Sequence, residues 1–278
     1  MIRSYFGITS NPFEKPRQLL EHQQPIFDTL KVHCQQGGFC LILGQPGIGK
    51  SILKNQLQNH DPKRLVTPTI GRTLHTYTNI LRILCQSFGI EDSGNDFTSE
   101  KRLLEKALVL NQDGKMLAPI IDDAHLLEIQ GLRKLRLLFE DFPKNHNLIL
   151  IGQPSLMTNL HLTVNEDIKS RITFSVVIPR LNPDQIESFL LGELDSVGLP
   201  HSTFSDDALG LLIRSSDGVL RRARNLALSC FIEAVRDQTK SIDLKQVNKV
   251  LMQPHWRADS DLLSSHPNVT PNHKNKIG

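Results

Sequence analysis

Residues 44–51 read G-x-x-x-x-G-K-S, the pattern of a loop that binds the phosphates of a nucleoside triphosphate. Glycines in such a loop turn backbone N–H groups towards the phosphates, and the next helix presents its positive end to the same anion. The Lys50 ammonium would reach the β- and γ-phosphates, and the Ser51 hydroxyl would coordinate Mg²⁺. The predicted nucleotide-binding residues are Gly44, Gln45, Pro46, Gly47, Ile48, Gly49, Lys50 and Ser51. The pattern predicts a site for ATP and Mg²⁺, the alternative being a glycine-rich turn before a lysine.

The segments on either side of this loop support the prediction. Residues 39–43 are an apolar run of the length of a buried strand, and residues 52–57 place apolar side chains at helical spacing. Strand, loop and helix therefore follow in the order that a phosphate-binding loop requires.

A second cluster of chemical groups follows another apolar run. Residues 116–121 read as a strand that ends in Asp122 and Asp123, where a parallel sheet opens to its ligand crevice. Asp122 would hold Mg²⁺ through water, and Asp123 would orient the water that attacks the γ-phosphate. The alternative is a strand that ends in a solvated acidic turn.

The composition limits the possible functions. The chain has 278 residues, 39% hydrophobic and 22% charged, and a formal charge of +3, so any DNA site must be a local patch. Its four cysteines (Cys34, Cys40, Cys85 and Cys230) lack C-x-x-C spacing, which predicts small buried hydrophobic side chains in a reducing compartment. Neither a bilayer-spanning run nor a signal-peptide core is present in the sequence. We expect a cytoplasmic protein without a membrane partner.

Alternating strand and helix patterns continue to about residue 181. Strands are predicted at 64–70, 147–152 and 174–178, in addition to those beside the two motifs; residues 1–16 and 91–97 read as loops. Helices are predicted at 17–35, 76–88, 103–110 and 130–142. This order predicts an α/β fold with a parallel sheet covered by helices on both faces.

From residue 182 the pattern becomes helical throughout. Asn182-Pro183-Asp184-Gln185 has the residues of a capping box, and Ser205 and Asp243 precede two further helices. We predict three parts: an α/β core with an N-terminal loop over 1–181, an all-helical domain over 182–253, and a disordered tail over 254–278.

Several motifs in this order resemble the AAA+ ATPases, and within them the ExeA-like branch. The marks are Tyr5-Phe6-Gly7, Asn11-Pro12-Phe13, the loop at 44–51, the segment 121–125, the segment 150–156, Ser170-Arg171-Ile172 and the segment 218–222. That branch includes secretion ATPases of the ExeA/GspA type and the transposition ATPases MuB, TniB and TnsC. The resemblance covers about residues 1–252 and implies an AAA+ P-loop core with a C-terminal helical lid.

The resemblance also assigns roles to three further residues. Gln153 matches the first sensor of the γ-phosphate, Arg171 matches the arginine finger offered to the ATP of a neighbouring subunit, and Arg221 matches the second sensor. The alternative for Gln153 is a glutamine of a turn, for Arg171 an arginine of a surface salt bridge, and for Arg221 a solvated arginine of a helix. Arg222 and Arg224 lie in the same turn as Arg221, so the second-sensor role could belong to one of them instead. All three roles bring positive or polar groups to a transferring phosphoryl group.

Two positions depart from the family pattern. Asp123 stands where most of the superfamily has Glu, so we expect slow ATP hydrolysis. Leu220 replaces the proline of the family's Gly-x-Pro-Arg motif, which loosens the assignment of Arg221.

The stand-alone core favours the transposition type. The resemblance then implies an ATP-bound ring or helical filament on duplex DNA that recruits or activates a transposase, with a target-selection protein as a further partner. The alternative is an ExeA/GspA-like ATPase that drives assembly of a secretion or membrane-associated complex. On the transposition hypothesis, basic and polar side chains would contact DNA phosphates without reading the base sequence. The candidate DNA-contacting residues are Arg72, Thr73, His75, Thr76, Lys101 and Arg102. The alternative is that they belong to a solvated loop and the start of a helix.

Overall fold

The computed structural model describes residues 1–14, 19–71, 76–91 and 94–256. Within these ranges no helix is long and apolar enough to cross a bilayer.

The chain divides into two compact units. Of the described residues, those between 19 and 180 form the first unit, the α/β unit, and residues 181–256 together with residues 1–14 form the second, the helical unit. The N-terminal segment therefore belongs with the helices, whereas the sequence analysis attached it to the core.

A parallel sheet forms the centre of the α/β unit. The strands are β1 (Gly38–Leu43), β2 (Leu65–Val66), β3 (Thr69–Ile70), β4 (Met116–Leu117), β5 (Ile120–Ile121), β6 (Asn147–Gly152) and β7 (Phe174–Val177). Five of them form a sheet in the order β3-β5-β6-β1-β7, and β2 pairs with β4 in a second, two-stranded sheet. Every strand pair is parallel, which confirms the predicted fold class.

Helices connect these strands and build the second unit. They are α1 (Ile2–Phe6), α2 (Gln24–Gln36), α3 (Lys50–His60), α4 (Tyr77–Ser87), α5 (Asp96–Gln112), α6 (Ile129–Glu140), α7 (Ser155–Leu160), α8 (Glu166–Lys169), α9 (Pro183–Asp195), α10 (Asp206–Ser216), α11 (Leu220–Arg236) and α12 (Leu244–Leu251).

The α/β core is a continuous apolar cluster that links the sheet to the helices α4, α5 and α6. Its fully buried members include Leu41, Leu43, Ile70, Ile80, Leu84, Leu103, Leu135 and Leu150. Each such side chain contributes about 1.5–3 kcal/mol on burial, so this packing fixes where the strands end and hence where the loops begin. All four cysteines are buried, as predicted.

Two prolines divide segments that the sequence analysis read as single strands. Pro68 separates β2 from β3, and Pro119 separates β4 from β5. Proline has no N–H to donate to a ladder. Its carbonyl still accepts, from Ile120 N–H at 2.9 Å for Pro68 and from Ile149 N–H at 3.0 Å for Pro119.

The boundaries of three helices also differ from the prediction. α5 begins at Asp96 rather than near 103, because the Asn95 side chain accepts a hydrogen bond from Phe97 N–H and caps the helix. α2 begins at Gln24, after a 3₁₀ turn at Glu21–Gln23, because Pro25 favours the start of a helix. The short helix α1 lies where a loop was predicted.

In the helical unit, α9, α10 and α12 begin where the capping residues predicted. Asn182 and Gln185 form the expected capping box, with reciprocal hydrogen bonds of 2.8 and 3.0 Å. The unit continues through a 3₁₀ turn at Pro254–Trp256, where the sequence analysis had placed the start of a disordered tail. The rest of that tail, 257–278, lies outside the described residues.

Phe13 attaches the N-terminal segment to the helical unit. Its fully buried ring lies 6.3 Å from Phe189 and 6.0 Å from Phe231, and its N–H donates to Glu193 Oε2 at 3.0 Å. The guanidinium of Arg224 donates to the carbonyls of Phe13 and Glu14. The Asn11-Pro12-Phe13 mark of the family resemblance is thus a packing element of the helical unit.

Candidate nucleotide-binding site

The predicted phosphate loop lies between β1 and α3. Gly47 and Gly49 have φ values of 83° and 104°, in the left-handed region where L side chains are strained. Gly44 leaves no room for a side chain, because a Cβ there would lie 2.7 Å from Ile48 Cγ2. Ile48 itself is buried and fixes the loop to the core.

Lys50 folds over this loop. Its Nζ donates to the carbonyls of Gly44 at 2.7 Å and Gln45 at 2.9 Å. Phosphate oxygens would therefore have to compete with these neutral carbonyls for the protons of the ammonium. Charge-assisted bonds to phosphate are the stronger kind.

Two further side chains hold the loop from outside. Gln23, fully buried, donates from Nε2 to the Gly49 carbonyl at 3.3 Å. Arg180 donates from Nη2 to Gln45 Oε1 at 2.8 Å. The ends of the loop are thus fixed by residues distant in sequence.

Asp122 ends β5 and pairs with the helix that follows the loop. Its Oδ2 lies 2.5 Å from Lys54 Nζ, and both side chains are 19% exposed. Lys54 is one helical turn after Lys50, so this contact joins the loop helix to the second motif.

The ion pair with Lys54 shows that the Asp122 carboxylate can bind a cation at this position. Oxygen donors suit Mg²⁺, and the Ser51 hydroxyl lies in the first turn of the same helix as Lys54. The two residues that would hold Mg²⁺ are therefore of the correct chemical type and lie on elements that touch.

Asp123 has an unusual backbone conformation, with φ 52°. Asp and Asn tolerate this left-handed region better than other non-glycine residues. Its N–H donates to Asp122 Oδ1 at 3.0 Å. The turn exposes the Asp123 carboxylate at the end of the strand, available to a water molecule.

Gln153 follows β6 and contacts the second motif. Its Nε2 lies 2.8 Å from His125 Nε2, and Gly44 N–H donates to the Gly152 carbonyl at 3.1 Å. The ends of β1, β5 and β6 therefore meet, as parallel strand ends do. The structure brings the loop, Asp122, Asp123 and Gln153 to one edge of the sheet.

Arg171 lies apart from these groups, after α8. Its side chain is 61% exposed, and its Nε lies 3.0 Å from Glu140 Oε1. An arginine finger acts on another subunit's ATP, so exposure is what that predicted role needs.

The three arginines at the start of α11 have different surroundings. Arg224 is engaged by the N-terminal segment, and the Arg222 guanidinium lies 5.7 Å from the centre of the Trp256 ring. Arg221 is exposed. These contacts give Arg222 and Arg224 structural tasks and favour Arg221 for the second-sensor role, which stays a prediction.

Three of the six candidate DNA-contacting residues lie within the described part of the chain. Arg72, Thr73 and His75 lie outside the described residues. Thr76 caps α4, since its Oγ1 accepts from Asn79 N–H at 3.3 Å.

The other two candidates, Lys101 and Arg102, are neighbouring exposed residues of α5. Arg102 donates from Nη1 to the Glu91 carbonyl at 3.2 Å. Lys101 lines a groove of about 390 Å³ beside Phe97, Lys134 and Leu137.

Sequence reasoning missed four residues of this region: Gln23, Lys54, His125 and Glu140. Three of them carry a local signal: Lys54 is spaced i,i+4 from Lys50, Glu140 is spaced i,i+4 from Arg136, and His125 ends the segment 121–125. The contacts of Gln23 with Gly49, of His125 with Gln153 and of Glu140 with Arg171 are distant in sequence.

Comparisons with known proteins agree with this geometry. Residues 32–160 match the AAA domain family. The chain is 27% identical over 234 residues to General secretion pathway protein A of Aeromonas hydrophila, in a match that covers 80% of this chain and 42% of that protein. This chain thus spans less than half the length of that relative.

Solved structures share the fold over nearly the whole chain. Cdc6p from Pyrobaculum aerophilum superposes with a TM-score of 0.71 at 18% identity, covering 95% of this chain and 74% of that one. Drosophila ORC bound to DNA gives 0.68 at 17% identity, covering 95% and 67%. Residues 32–160 thus match the AAA domain family, and the shared architecture shows that the α/β unit has the P-loop fold of AAA+ proteins.

Proposed function

We propose that this protein is an ATP-dependent regulator of DNA transposition, whose copies assemble on duplex DNA and recruit or activate a transposase. The ATP part of the proposal depends on one observation above all, the 2.5 Å contact of Lys54 with Asp122. That contact joins the helix of the phosphate loop to the end of β5, which is followed by the carboxylates of Asp122 and Asp123. Phosphate-binding and water-orienting groups therefore belong to one site.

Each residue of the site has a role in hydrolysis. Lys50 would exchange the carbonyls of Gly44 and Gln45 for β- and γ-phosphate oxygens. Mg²⁺, when bound by Ser51 and Asp122, supplies positive charge that neutralises the phosphates. Asp123 accepts a hydrogen bond from the attacking water and orients it, while Gln153 senses the γ-phosphate. Because Asp is one methylene shorter than Glu, we expect slow turnover.

Arg171 would supply a further positive group from a neighbouring copy. Its exposed guanidinium would stabilise the charge that develops on the γ-phosphate bound by a neighbouring copy. ATP then contacts two copies at once, so nucleotide stabilises the assembly by mass action. This head-to-tail contact generates a ring or a helical filament.

Three observations support duplex DNA as the binding partner of the assembly. The motifs that resemble the ExeA-like branch, which includes transposition ATPases, extend through both units, and the similar Drosophila ORC structure is bound to DNA. Lys101 and Arg102 place two adjacent exposed cations on α5. Few phosphate contacts per copy would still add up to tight binding along a filament.

Fluorescence anisotropy with a labelled duplex tests the DNA part. We expect binding with ATP and not with ADP, indifference to sequence, and a steep fall in affinity with salt. Arg72→Ala and Lys101→Ala should weaken DNA binding without changing ATP affinity, whereas Lys63→Ala, an exposed lysine after α3, should leave both unchanged. Lack of affinity for duplex DNA at low salt, with ATP bound, would refute the transposition function.

A second candidate function has a specific observation in its favour. The sequence match to General secretion pathway protein A covers 80% of this chain. On that alternative the same ATP site drives assembly of a secretion or membrane-associated complex. ATP-dependent self-assembly that ignores DNA would favour it.

A further inference from the structure

Glu140 shares one carboxylate oxygen between two arginines. Its Oε1 accepts a hydrogen bond from Arg136 Nη1 at 2.8 Å and lies 3.0 Å from Arg171 Nε. Arg136 and Glu140 are one turn apart on α6, and Arg171 follows α8. A single oxygen therefore connects the last turn of α6 to the segment that carries Arg171.

The α6 end of this connection is firmly held. Arg136 is 12% exposed and lies 3.9 Å from Asp167 Oδ2. Arg133 binds both oxygens of Asp167, with Nε at 2.8 Å from Oδ2 and Nη2 at 3.1 Å from Oδ1. The hydrogen bond from Arg133 lowers the pKa of Asp167 below that of a free aspartate. The ion pairs form a continuous series from Arg133 to Arg171.

The backbone of Arg171 is also held. Its N–H donates to the Ile168 carbonyl at 3.1 Å, and the Ile168 side chain is fully buried. The Arg171 side chain is 61% exposed and contacts Glu140 through Nε. Among the described residues, Nη1 and Nη2 donate no hydrogen bond, so Glu140 uses the inner nitrogen and leaves the two terminal ones available.

We infer that Glu140 is a positioning residue for Arg171: it holds the guanidinium by Nε so that the terminal nitrogens are presented to the γ-phosphate on a neighbouring copy. This inference rests on the proposed role of Arg171. A guanidinium is a planar fork that binds phosphate best in a fixed orientation. An unrestrained arginine side chain would lose more rotamer entropy on each encounter.

Glu140→Gln is the central test, because it keeps the shape and the acceptor oxygen but removes the charge. We expect kcat for ATP to fall about tenfold, since misplacing a charge-stabilising group by a fraction of an ångström costs this much. The KM and Kd for ATP should be unchanged, because the phosphate loop does not depend on Glu140. Glu140→Asp keeps the charge and should lose less. Thermal unfolding of each variant checks that it is folded.

Glu166→Gln is the matched control. Glu166 is also a carboxylate of this region, paired with Lys169 at 3.2 Å, but it does not touch Arg171. Its removal should leave kcat unchanged. An equal loss in both variants would overturn the inference, because it would show a general effect of surface charge.

Combining Glu140→Gln with Arg171→Ala separates the inference from the function on which it rests. If Glu140 acts through Arg171, Glu140→Gln should lower kcat no further in the Arg171→Ala background. A further loss there, a parental kcat in Glu140→Gln alone, or a kcat above the parental value would each overturn the inference while leaving the role of Arg171 intact. A parental kcat in Arg171→Ala would refute that role itself.

Discussion

The phosphate loop and Arg171 are positioned by different physical means. The loop begins at Gly44, which is hydrogen-bonded to Gly152 at 3.1 Å between two strands of buried residues. Arg171 is 61% exposed, and its partner Glu140 is 36% exposed. Apolar packing places the first region, and surface ion pairs place the second.

This difference suits two different tasks. A buried scaffold keeps the loop geometry whether or not a neighbouring copy is present, so one copy can bind ATP alone. Exposed ion pairs are weak and are screened by salt, but they leave Arg171 accessible to another molecule. We therefore expect changes in the loop to act on binding and changes around Arg171 to act on turnover.

Lys50→Ala should have the largest effect. It removes the ammonium that the sequence motif assigns to the β- and γ-phosphates, and bonds to charged groups contribute about 1.5–3 kcal/mol each. We expect ATP affinity to fall at least about 100-fold. Equilibrium titration with a fluorescent ATP analogue measures this, with Lys63→Ala as the control. Unchanged affinity would show that residues 44–51 do not form the phosphate site.

Asp123→Asn should leave ATP binding intact and slow turnover. Asn accepts the left-handed backbone conformation of Asp123, so the turn is preserved while the charge that orients water is lost. A loss of general-base assistance corresponds to about 100-fold or more in rate. Single-turnover hydrolysis measures the step directly. If Asp123→Asn equals the parent, the catalytic carboxylate lies elsewhere, and Glu128→Gln is the next variant to assay.

Substitutions of the arginines of α11 extend the comparison to the helical unit, and we expect their effects on stability and activity to be the smallest. Arg224→Ala removes hydrogen bonds to two carbonyls of the N-terminal segment and should lower the free energy of unfolding by about 1.5–3 kcal/mol. Arg221→Ala should leave stability unchanged and weaken nucleotide-dependent activity. Denaturant unfolding and ATP hydrolysis, measured on both variants, separate the two. The reverse pattern would move the second-sensor role to Arg224.

The sequence was sufficient for the elements with local signals. Apolar runs predicted β1 and β6, the Asn182 capping box predicted the start of α9, and the alternation of elements predicted a parallel sheet. The short strands around Pro68 and Pro119 were merged, because the hydrogen bonds that separate them come from other strands. Phe13 was read as part of a loop of the core, since its packing partners are more than 170 residues away in the chain.

The candidate site divides in the same way. The loop and the pair Asp122 and Asp123 were predicted because their spacing is local and their chemistry is specific. The contacts of Lys54 with Asp122 and of Glu140 with Arg171 could not be predicted, since they join elements that only the fold brings together. Roles taken from the family resemblance, those of Gln153, Arg171 and Arg221, stay predictions until variants are measured.

A subunit-mixing assay tests the composite ATP site most directly. Lys50→Ala and Arg171→Ala copies should each hydrolyse ATP poorly alone, one for lack of binding and the other for lack of the arginine. Mixed in equal amounts, random head-to-tail pairing makes about a quarter of the interfaces intact, so hydrolysis should recover to about that fraction of the parental rate. No recovery at any mixing ratio would contradict the account, because Arg171 would then not act on the ATP of a neighbouring copy.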